Sequence, residues 1–259
     1  MMDNLAALPV AIPMAAAIVL LLTRQHPVLS RAVAMAANIA ALLAALALVG
    51  AVSEDGVQVL AFGGWQAPFG IVFAVDMLGA LMVAVTMVVS TATLLFACFS
   101  MDEEREKNFF YVLFQFLVMG MNGAFLTGDL FNLFVWFEVL LVASYGLMAL
   151  GSEPYQLQET FKYLVINALA SALFLVGIAA VYALCGTLNM ADLHLKLAEV
   201  DSAAMRGAVA LLFMVVFGVK AGVFPLYMWL PRSYFAPPAV VSALFGGLLT
   251  QVGVYALFR

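Results

Sequence analysis

Apolar residues occur in long unbroken runs along the chain, and short polar segments separate these runs. A helix needs about 20 apolar residues to cross the ~30 Å hydrocarbon core of a bilayer. Helices are expected because backbone groups in lipid must be paired internally, and the alternating pattern of a membrane barrel is missing. The pattern therefore predicts an all-α membrane protein with about eight transmembrane helices, at residues 5–23, 30–51, 76–99, 109–127, 130–149, 161–184, 207–229 and 239–258.

The connections between these runs are short. TRQHPVLSR (23–31), DEEREKN (102–108) and GSEPYQLQET (151–160) are polar segments. TGD (127–129) is barely long enough for a turn, which predicts a tight antiparallel hairpin of the fourth and fifth spans.

Two further segments do not resemble spans. Residues 53–75 are rich in glycine and partly alternating, which favours an interfacial hairpin or loop. The segment ADLHLKLAEV (191–200) alternates polar and apolar residues and is predicted to lie along the membrane surface.

Composition excludes a water-soluble domain. Hydrophobic residues make up 66% of the chain and charged residues 10%, with a mean hydropathy of +1.13, whereas a soluble domain is about one quarter charged. A net charge of −5 without a basic patch gives no indication of a nucleic-acid partner. No Lys or Arg precedes the first apolar run, so residues 5–23 are predicted to be a retained span. Cys98 and Cys185 lie in apolar runs and are expected to be buried free thiols.

The basic residues of the loops predict the orientation, because Lys and Arg are enriched on the cytoplasmic side. Six of them fall on one side and three on the other, which places both termini outside and DEEREKN in the cytoplasm. The six are Arg24, Arg31, Arg105, Lys107, Lys162 and Arg232, and the three are Lys196, Arg206 and Arg259.

Two ionisable residues remain deep in predicted spans, Glu138 and Lys220. A single charge at the bilayer centre costs ~3 kcal/mol or more, so two opposite charges suggest mutual compensation. One interpretation is a buried ion pair that only fixes helix packing, although such pairs contribute little stability. The other is a proton relay, because burial disfavours the charged amine whereas a nearby carboxylate favours it.

Pro225 lies five residues after Lys220 and predicts a break in the seventh helix. Gly218 and Gly222 are expected to loosen the same turn. Broken helices at the midplane are a recurring device of ion transporters, while a simple packing kink is the alternative.

A second group of polar residues could extend a hydrated path, although most such residues simply bond to neighbouring helices. Asp76 and Asp129 are expected to stabilise the helix starts that follow them. His26 and His194 are isolated loop residues, so we expect no metal site, and no motif indicates a bound cofactor or covalent chemistry. The polar group comprises Asn122, Asn132, Tyr145, Asn167, Ser171, Tyr227, Thr250 and Gln251.

The run VKAGVFPLYMWLPRSYFAPPAVVSALFGGLLTQVGVYALFR (219–259) resembles the signature of the proton-translocating antiporter-like family. That family comprises the antiporter-like membrane subunits of respiratory complex I and the large subunits of Mrp-type sodium/proton antiporters. Upstream, TGDLFNLFVWFEVLLVASYGLM (127–148) is most similar to the D-type subunit of the Mrp antiporters.

The resemblance implies that Glu138 and Lys220 are the family's proton-shuttling pair. It also implies three N-terminal spans in residues 1–108 and a five-helix transporter unit in residues 109–259. Two departures stand out: Gln251 occupies a position where many members have lysine, and the second, inverted unit of the family does not follow within this chain. The sequence leaves open whether the chain is a fragment or a short subunit.

The resemblance further implies a multi-pass cell-membrane subunit of an antiporter complex, active in pH homeostasis, with protons and a monovalent cation such as Na⁺ as its substrates. Its expected partners are other subunits and membrane lipid. One alternative is a proton-pumping membrane subunit of an NADH:quinone oxidoreductase or hydrogenase-type complex, whose redox centres would lie in partner chains. Another is an assembly subunit that transports nothing. Only the redox-linked alternative would make the chain part of an enzyme.

Overall fold

The computed structural model describes residues 4–65 and 70–259. Within these residues, eight helices are long and apolar enough to cross a membrane, which confirms the predicted fold class and number of spans. In chain order, the first to eighth spans are Leu5–Thr23, Pro27–Asp55, Met77–Ser100, Glu103–Leu126, Leu130–Met148, Pro154–Cys185, Ala203–Ala221 and Ala239–Phe258.

The second and sixth spans begin earlier than the hydropathy pattern predicts. Pro27 and Pro154 each occupy the first turn of their helices, where the missing N–H costs nothing and the fixed φ angle favours the helix. A capping box between Glu153 and Gln156 also stabilises the start of the sixth span. Polar residues that the pattern assigned to loops therefore form the first turns of these helices.

The segment between the second and third spans contains the predicted hairpin. Strand β1 (Gln58–Ala61) pairs antiparallel with strand β2 (Val72–Val75), with Gln58 opposite Val75. Residues 66–69 of the predicted segment lie outside the described residues. This small two-stranded sheet agrees with the hairpin predicted for residues 53–75, beside the eight helices of the predicted fold class.

The hairpin packs on the TGD turn between the fourth and fifth spans. The N–H of Gly128 donates to the carbonyl of Val72 at 2.9 Å, and the Gly128 carbonyl accepts from the N–H of Met190. The turn is therefore held between strand β2 and the start of a surface helix, Met190–Glu199. This helix covers the segment predicted to lie along the membrane surface, and it contains His194, which is not a loop residue.

Ion pairs connect the helices at the opposite end of the bundle. Arg31 of the second span binds both carboxylate oxygens of Glu106 at 2.9 Å, and Arg105 contacts Glu153 of the sixth span at 3.3 Å. Arg105 and Glu106 belong to the DEEREKN segment, which the basic residues predict to be cytoplasmic.

The fourth span lies at the centre of the molecule. In its most apolar stretch 83% of the residues are buried, whereas the corresponding share in the other seven spans is 22–56%. The first and third spans pack against it. The fourth to eighth spans contact one another in a closed ring, each span touching the next and the eighth returning to the fourth, and the third span also contacts the eighth.

The seventh span ends at Ala221, so the prediction that it extends to residue 229 is wrong. Gly222 adopts a left-handed conformation (φ 65°), and the N–H of Val223 donates to the carbonyl of Gly218 at 3.0 Å. A glycine in this conformation is a common end of a helix. A turn follows, and the chain resumes as a short helix, Leu230–Phe235.

Cys98 and Cys185 are free thiols, as the sequence predicts, but both are half-buried and not fully enclosed. Asp76 and Asp129 cap the third and fifth spans, and they accept the N–H groups of Gly79 and Asn132 at 2.8 Å. The expected favourable placement of acids at these helix starts is therefore present.

Candidate ion-translocation site

Lys220 lies in the last turn of the seventh span and is only 4% exposed. Its ammonium group donates to the hydroxyl of Ser171 in the sixth span at 3.1 Å. The same nitrogen lies 4.8 Å from the centre of the Phe137 ring of the fifth span, and such a cation–π contact contributes about 2 kcal/mol when desolvated. One hydroxyl and one ring are sparse compensation for a buried ammonium group, which has three N–H donors.

Glu138 follows Phe137 in the fifth span and is half-buried. Its Oε1 atom is buried without a hydrogen-bond partner among the described residues. A carboxylate oxygen in that state is costly, because a buried acceptor without a donor loses its hydration without replacement.

Glycines of the fourth span fix the position of Glu138. A Cβ atom on Gly120 would lie 2.8 Å from the backbone nitrogen of Leu140, and one on Gly123 would lie 2.3 Å from the ring of Trp136. Only glycine allows this close approach of the two helices. Trp136 and Leu140 flank Glu138, so the packing of the hairpin determines the depth at which the carboxylate sits.

Glu138 and Lys220 lie near one another without forming an ion pair. No ion pair to either residue occurs among residues 4–65 and 70–259. Their helices are nevertheless in contact, because the rings of Phe137 and Phe217 stack at 6.2 Å. Glu138 is also the neighbour of Phe137, whose ring lies 4.8 Å from the Lys220 nitrogen. The structure thus places the two ionisable residues that the sequence selects on helices that touch, without a direct contact between their charged groups.

The residues of the predicted break surround the end of the Lys220 helix. Gly218 and Gly222 form the cap, whereas Pro225 lies in the following turn, after a cis peptide bond to Phe224. Pro225 therefore does not interrupt a continuing helix, because the helix has already ended at Ala221. The indole N–H of Trp229 donates to the carbonyl of Val219 at 3.0 Å, and thereby closes the turn back on the residue before Lys220.

Three other predicted path residues, Asn167, Tyr227 and Gln251, lie in different environments. Asn167 is buried but donates to the carbonyl of Tyr163, four residues earlier in its own helix. Tyr227 is 42% exposed, and its ring lies 6.2 Å from that of Phe224 at an interplanar angle of 30°. Gln251 is half-buried, and its side chain makes no hydrogen bond within the described residues.

Several polar side chains are buried although the sequence did not identify them as such. Glu106 and Arg31 were assigned to loops, yet the Glu106 side chain is 1% exposed and its carboxylate also accepts from the hydroxyl of Tyr111 at 2.6 Å. Gln115 and Asn38 are fully buried and bonded to each other at 2.9 Å. The available signal was an isolated carboxamide in each of two apolar runs, YVLFQFLV and AANIAALL.

Asp129 is the acid nearest to the fifth span outside the apolar segments. Burial raises the pKa of its carboxyl group above the ordinary value, and the N–H groups of Asn132 and Phe131 oppose this increase. Within the described part of the chain, no group of three or more His, Cys, Asp or Glu residues could hold a metal ion.

Eight apolar spans and buried ionisable groups define this chain as a multi-pass integral membrane protein. Residues 127–259, half of the chain, match the family described as "NADH:quinone oxidoreductase/Mrp antiporter, TM". The chain belongs to this family, as the sequence resemblance indicates.

Individual relatives support the same assignment. The chain is 50% identical over 258 residues to the D-type subunit of the Na(+)/H(+) antiporter of Alkalihalophilus pseudofirmus, and the match covers 100% of this chain and 52% of that protein. A chain of the Mrp complex from Dietzia sp. DQ12-45-1b superposes with a TM-score of 0.91 at 33% identity, over 99% of this chain and 48% of that one. A chain of the membrane-bound sulfane sulfur reductase, an archaeal respiratory membrane complex, superposes with a TM-score of 0.93 at 30% identity. That match covers 98% of this chain and 52% of the other. The chain thus spans about half the length of the proteins that it matches.

Proposed function

We propose that this chain is part of a subunit of a multisubunit cation/proton antiporter and that protons move through Glu138 and Lys220. Similarity to the D-type subunit of a Na(+)/H(+) antiporter and to a chain of an Mrp complex supports this assignment. The substrates would be protons and a monovalent cation such as Na⁺, and the partners would be the other subunits of the complex.

The main support for the relay is the incomplete hydrogen bonding of Lys220 and Glu138. Among the described residues, Lys220 has one hydrogen-bond acceptor, Ser171, and Glu138 has a buried oxygen without a donor. A pair that only held helices together would be expected in direct contact, because breaking a buried ion pair costs about 3–5 kcal/mol. Two groups that are close but not paired can instead change protonation at moderate cost.

The amine and the carboxylate would then have complementary roles. Burial favours the neutral amine, while the negative charge of Glu138 favours the ammonium form. A change in the distance between the two helices would alter this balance and release or recapture the proton. The end of the seventh helix after Lys220 provides a place where such a movement can occur, because the backbone beyond Gly222 is not helical.

The test is proton/cation exchange by the whole complex in vesicles. Lys220→Ala and Glu138→Ala should reduce exchange to the background level while the protein still assembles. Lys220→Arg should also fail, because arginine stays protonated at any accessible pH. Lys196→Ala and Glu199→Gln, on the surface helix, remove the same charges away from the site and should leave exchange unchanged.

Other outcomes would favour the alternatives. The similarity to a respiratory reductase keeps a redox-linked pump as the second candidate, and proton movement that requires an electron donor instead of a cation gradient would support it. Normal exchange by both alanine variants in an assembled complex would contradict the relay and indicate an assembly subunit.

A further inference from the structure

Four fully buried polar side chains form a cluster between the second, third and fourth spans, away from Glu138 and Lys220. We call Asn38, Ser90, Gln115 and Asn122 the inner polar cluster, and each of them is 0% exposed. Gln115 donates to the Asn38 side-chain oxygen at 2.9 Å and to the carbonyl of Ala34 at 3.3 Å. Asn38 donates in turn to the hydroxyl of Ser90 at 3.4 Å.

Asn122 extends the cluster to the first span for an identifiable reason. Pro13 lies inside that helix and has no N–H, so the carbonyl of Pro9, four residues earlier, lacks its helical donor. The side-chain nitrogen of Asn122 donates to this carbonyl at 2.8 Å, and it also lies 3.2 Å from the sulfur of Met87. These contacts fix the orientation of the amide, because its oxygen would be repelled by the Pro9 carbonyl.

Two oxygens of the cluster have no donor. Gln115 Oε1 and Asn122 Oδ1 are buried and lack a hydrogen-bond partner among the described residues. The two residues are seven positions apart and therefore share one face of the fourth span, about 10 Å apart along its axis. The orientation of Gln115 is fixed in the same way as that of Asn122, because its nitrogen faces two carbonyl-type oxygens.

Hydrogen bonds between helices explain the nitrogens of this cluster and the oxygens of Asn38 and Ser90, but they do not explain the two oxygens without a donor. A buried acceptor without a donor costs about 1–3 kcal/mol, and nearly all buried polar groups in proteins bond to protein or to ordered water. The missing donors must come from a small molecule that fits among packed helices. We propose that the inner polar cluster binds ordered water at Gln115 Oε1 and at Asn122 Oδ1.

The site is separate from the proposed proton relay. Its residues belong to the second, third and fourth spans and its carbonyl partner to the first, whereas Glu138, Lys220 and Ser171 belong to the fifth, seventh and sixth. At one end it approaches the ion pair of Arg31 and Glu106, because Tyr111, which bonds to Glu106, lies one turn before Gln115. The interface of the first four spans would thus be a hydrated region and not a dry scaffold.

Radiolytic hydroxyl-radical labelling of the assembled complex tests the proposal, because radicals formed from bound water oxidise the side chains beside it. Met87 touches Asn122 and is 0% exposed, and Met121 is equally buried but lies on another face of the fourth span. We expect Met87 to be oxidised several-fold more than Met121. Equal, low oxidation of both residues would show that the cluster is dry at Asn122 and would overturn the proposal.

Two variants refine the result. Asn122→Leu removes the acceptor and should lower the oxidation of Met87 to the level of Met121. Gln115→Leu is the matched control, since it removes the other oxygen and should leave Met87 oxidation unchanged; an equal decrease would contradict a separate water at Asn122. If Asn122→Leu does not assemble, a high-resolution map of the native complex decides the question. It should show density for one water within hydrogen-bond distance of Gln115 Oε1 and for another near Asn122 Oδ1, and a map without them would overturn the proposal. None of these measurements depends on transport.

Discussion

At the residue scale, the proposed relay depends on how the end of the seventh span is held. The carbonyl of Val219 accepts from the N–H of Gly222 at 3.2 Å and from the Trp229 indole at 3.0 Å. Trp229 is 5% exposed and packs against the ring of Tyr163 at 5.3 Å. The turn after the helix is therefore anchored both to the Val219 carbonyl, which precedes Lys220, and to the sixth span.

Trp229→Phe keeps most of the ring but removes the donor to Val219. We expect a loss of about 1 kcal/mol in unfolding free energy and a several-fold lower rate of exchange, because the backbone next to Lys220 becomes less constrained. Trp65→Phe is the control, since it makes the same change at a residue that is 70% exposed and lies outside the eight spans. Chemical denaturation and vesicle exchange, measured on both variants, would contradict Trp229 as a positioning residue if the two behaved alike.

At the element scale, close contacts at glycines determine how the spans meet. The eighth span touches the end of the seventh at Gly253, where a Cβ atom would lie 2.4 Å from the nitrogen of Ala221 and 2.7 Å from the carbonyl carbon of Lys220. These neighbours are backbone atoms and cannot rotate away. The position of Lys220 thus depends on a residue that is itself neither charged nor polar.

Gly253→Ala should push the seventh and eighth spans apart. Overpacking of this kind costs about 1–3 kcal/mol, and we expect exchange to fall several-fold because Lys220 moves relative to Ser171 and Glu138. Gly207→Ala is the matched control within the seventh span, where a Cβ atom meets nothing within 4 Å. Denaturation and exchange assays should show a loss only for the Gly253 variant, and equal effects would argue against the contact.

The sequence predicted the spans well and the junctions less well, for physical reasons. Length and hydropathy suffice for eight helices, because lipid permits few alternatives. The end of the seventh span was misplaced because the apolar run continues to residue 229, whereas Gly222 ends the helix at Ala221. Glu138 and Lys220 were found because charges are rare in spans. Asn122 was among the polar residues that the sequence selected, but its place in the inner polar cluster was missed because the bonds there join distant segments, such as Asn122 and Pro9, which one sequence does not show to be neighbours.

At the scale of the whole molecule, the first three spans and the ring of the fourth to eighth spans share the fourth span as their common element. Polar contacts reinforce this junction at the end that carries DEEREKN. Glu106, at the start of the fourth span, receives two bonds from Arg31 of the second span and one from Tyr111. Arg105 beside it contacts Glu153, so the same segment also joins the sixth span.

Arg31→Met should destabilise this junction strongly. Glu106 would lose its charged partner in a site where its side chain is 1% exposed, and removing one partner of such a pair costs about 3 kcal/mol or more. The Arg31 side chain is 33% exposed, so solvent screening places the expected loss at the lower end of that range, about 3 kcal/mol. Adding Glu106→Gln should recover part of the stability, because the unpaired charge is removed.

Lys107→Met is the control, because it breaks the exposed pair with Glu103 in the same segment and should cost less than about 1 kcal/mol. Denaturation of the purified protein measures all three; a small loss for Arg31→Met, similar to that of Lys107→Met, would show that the junction is held by apolar packing alone.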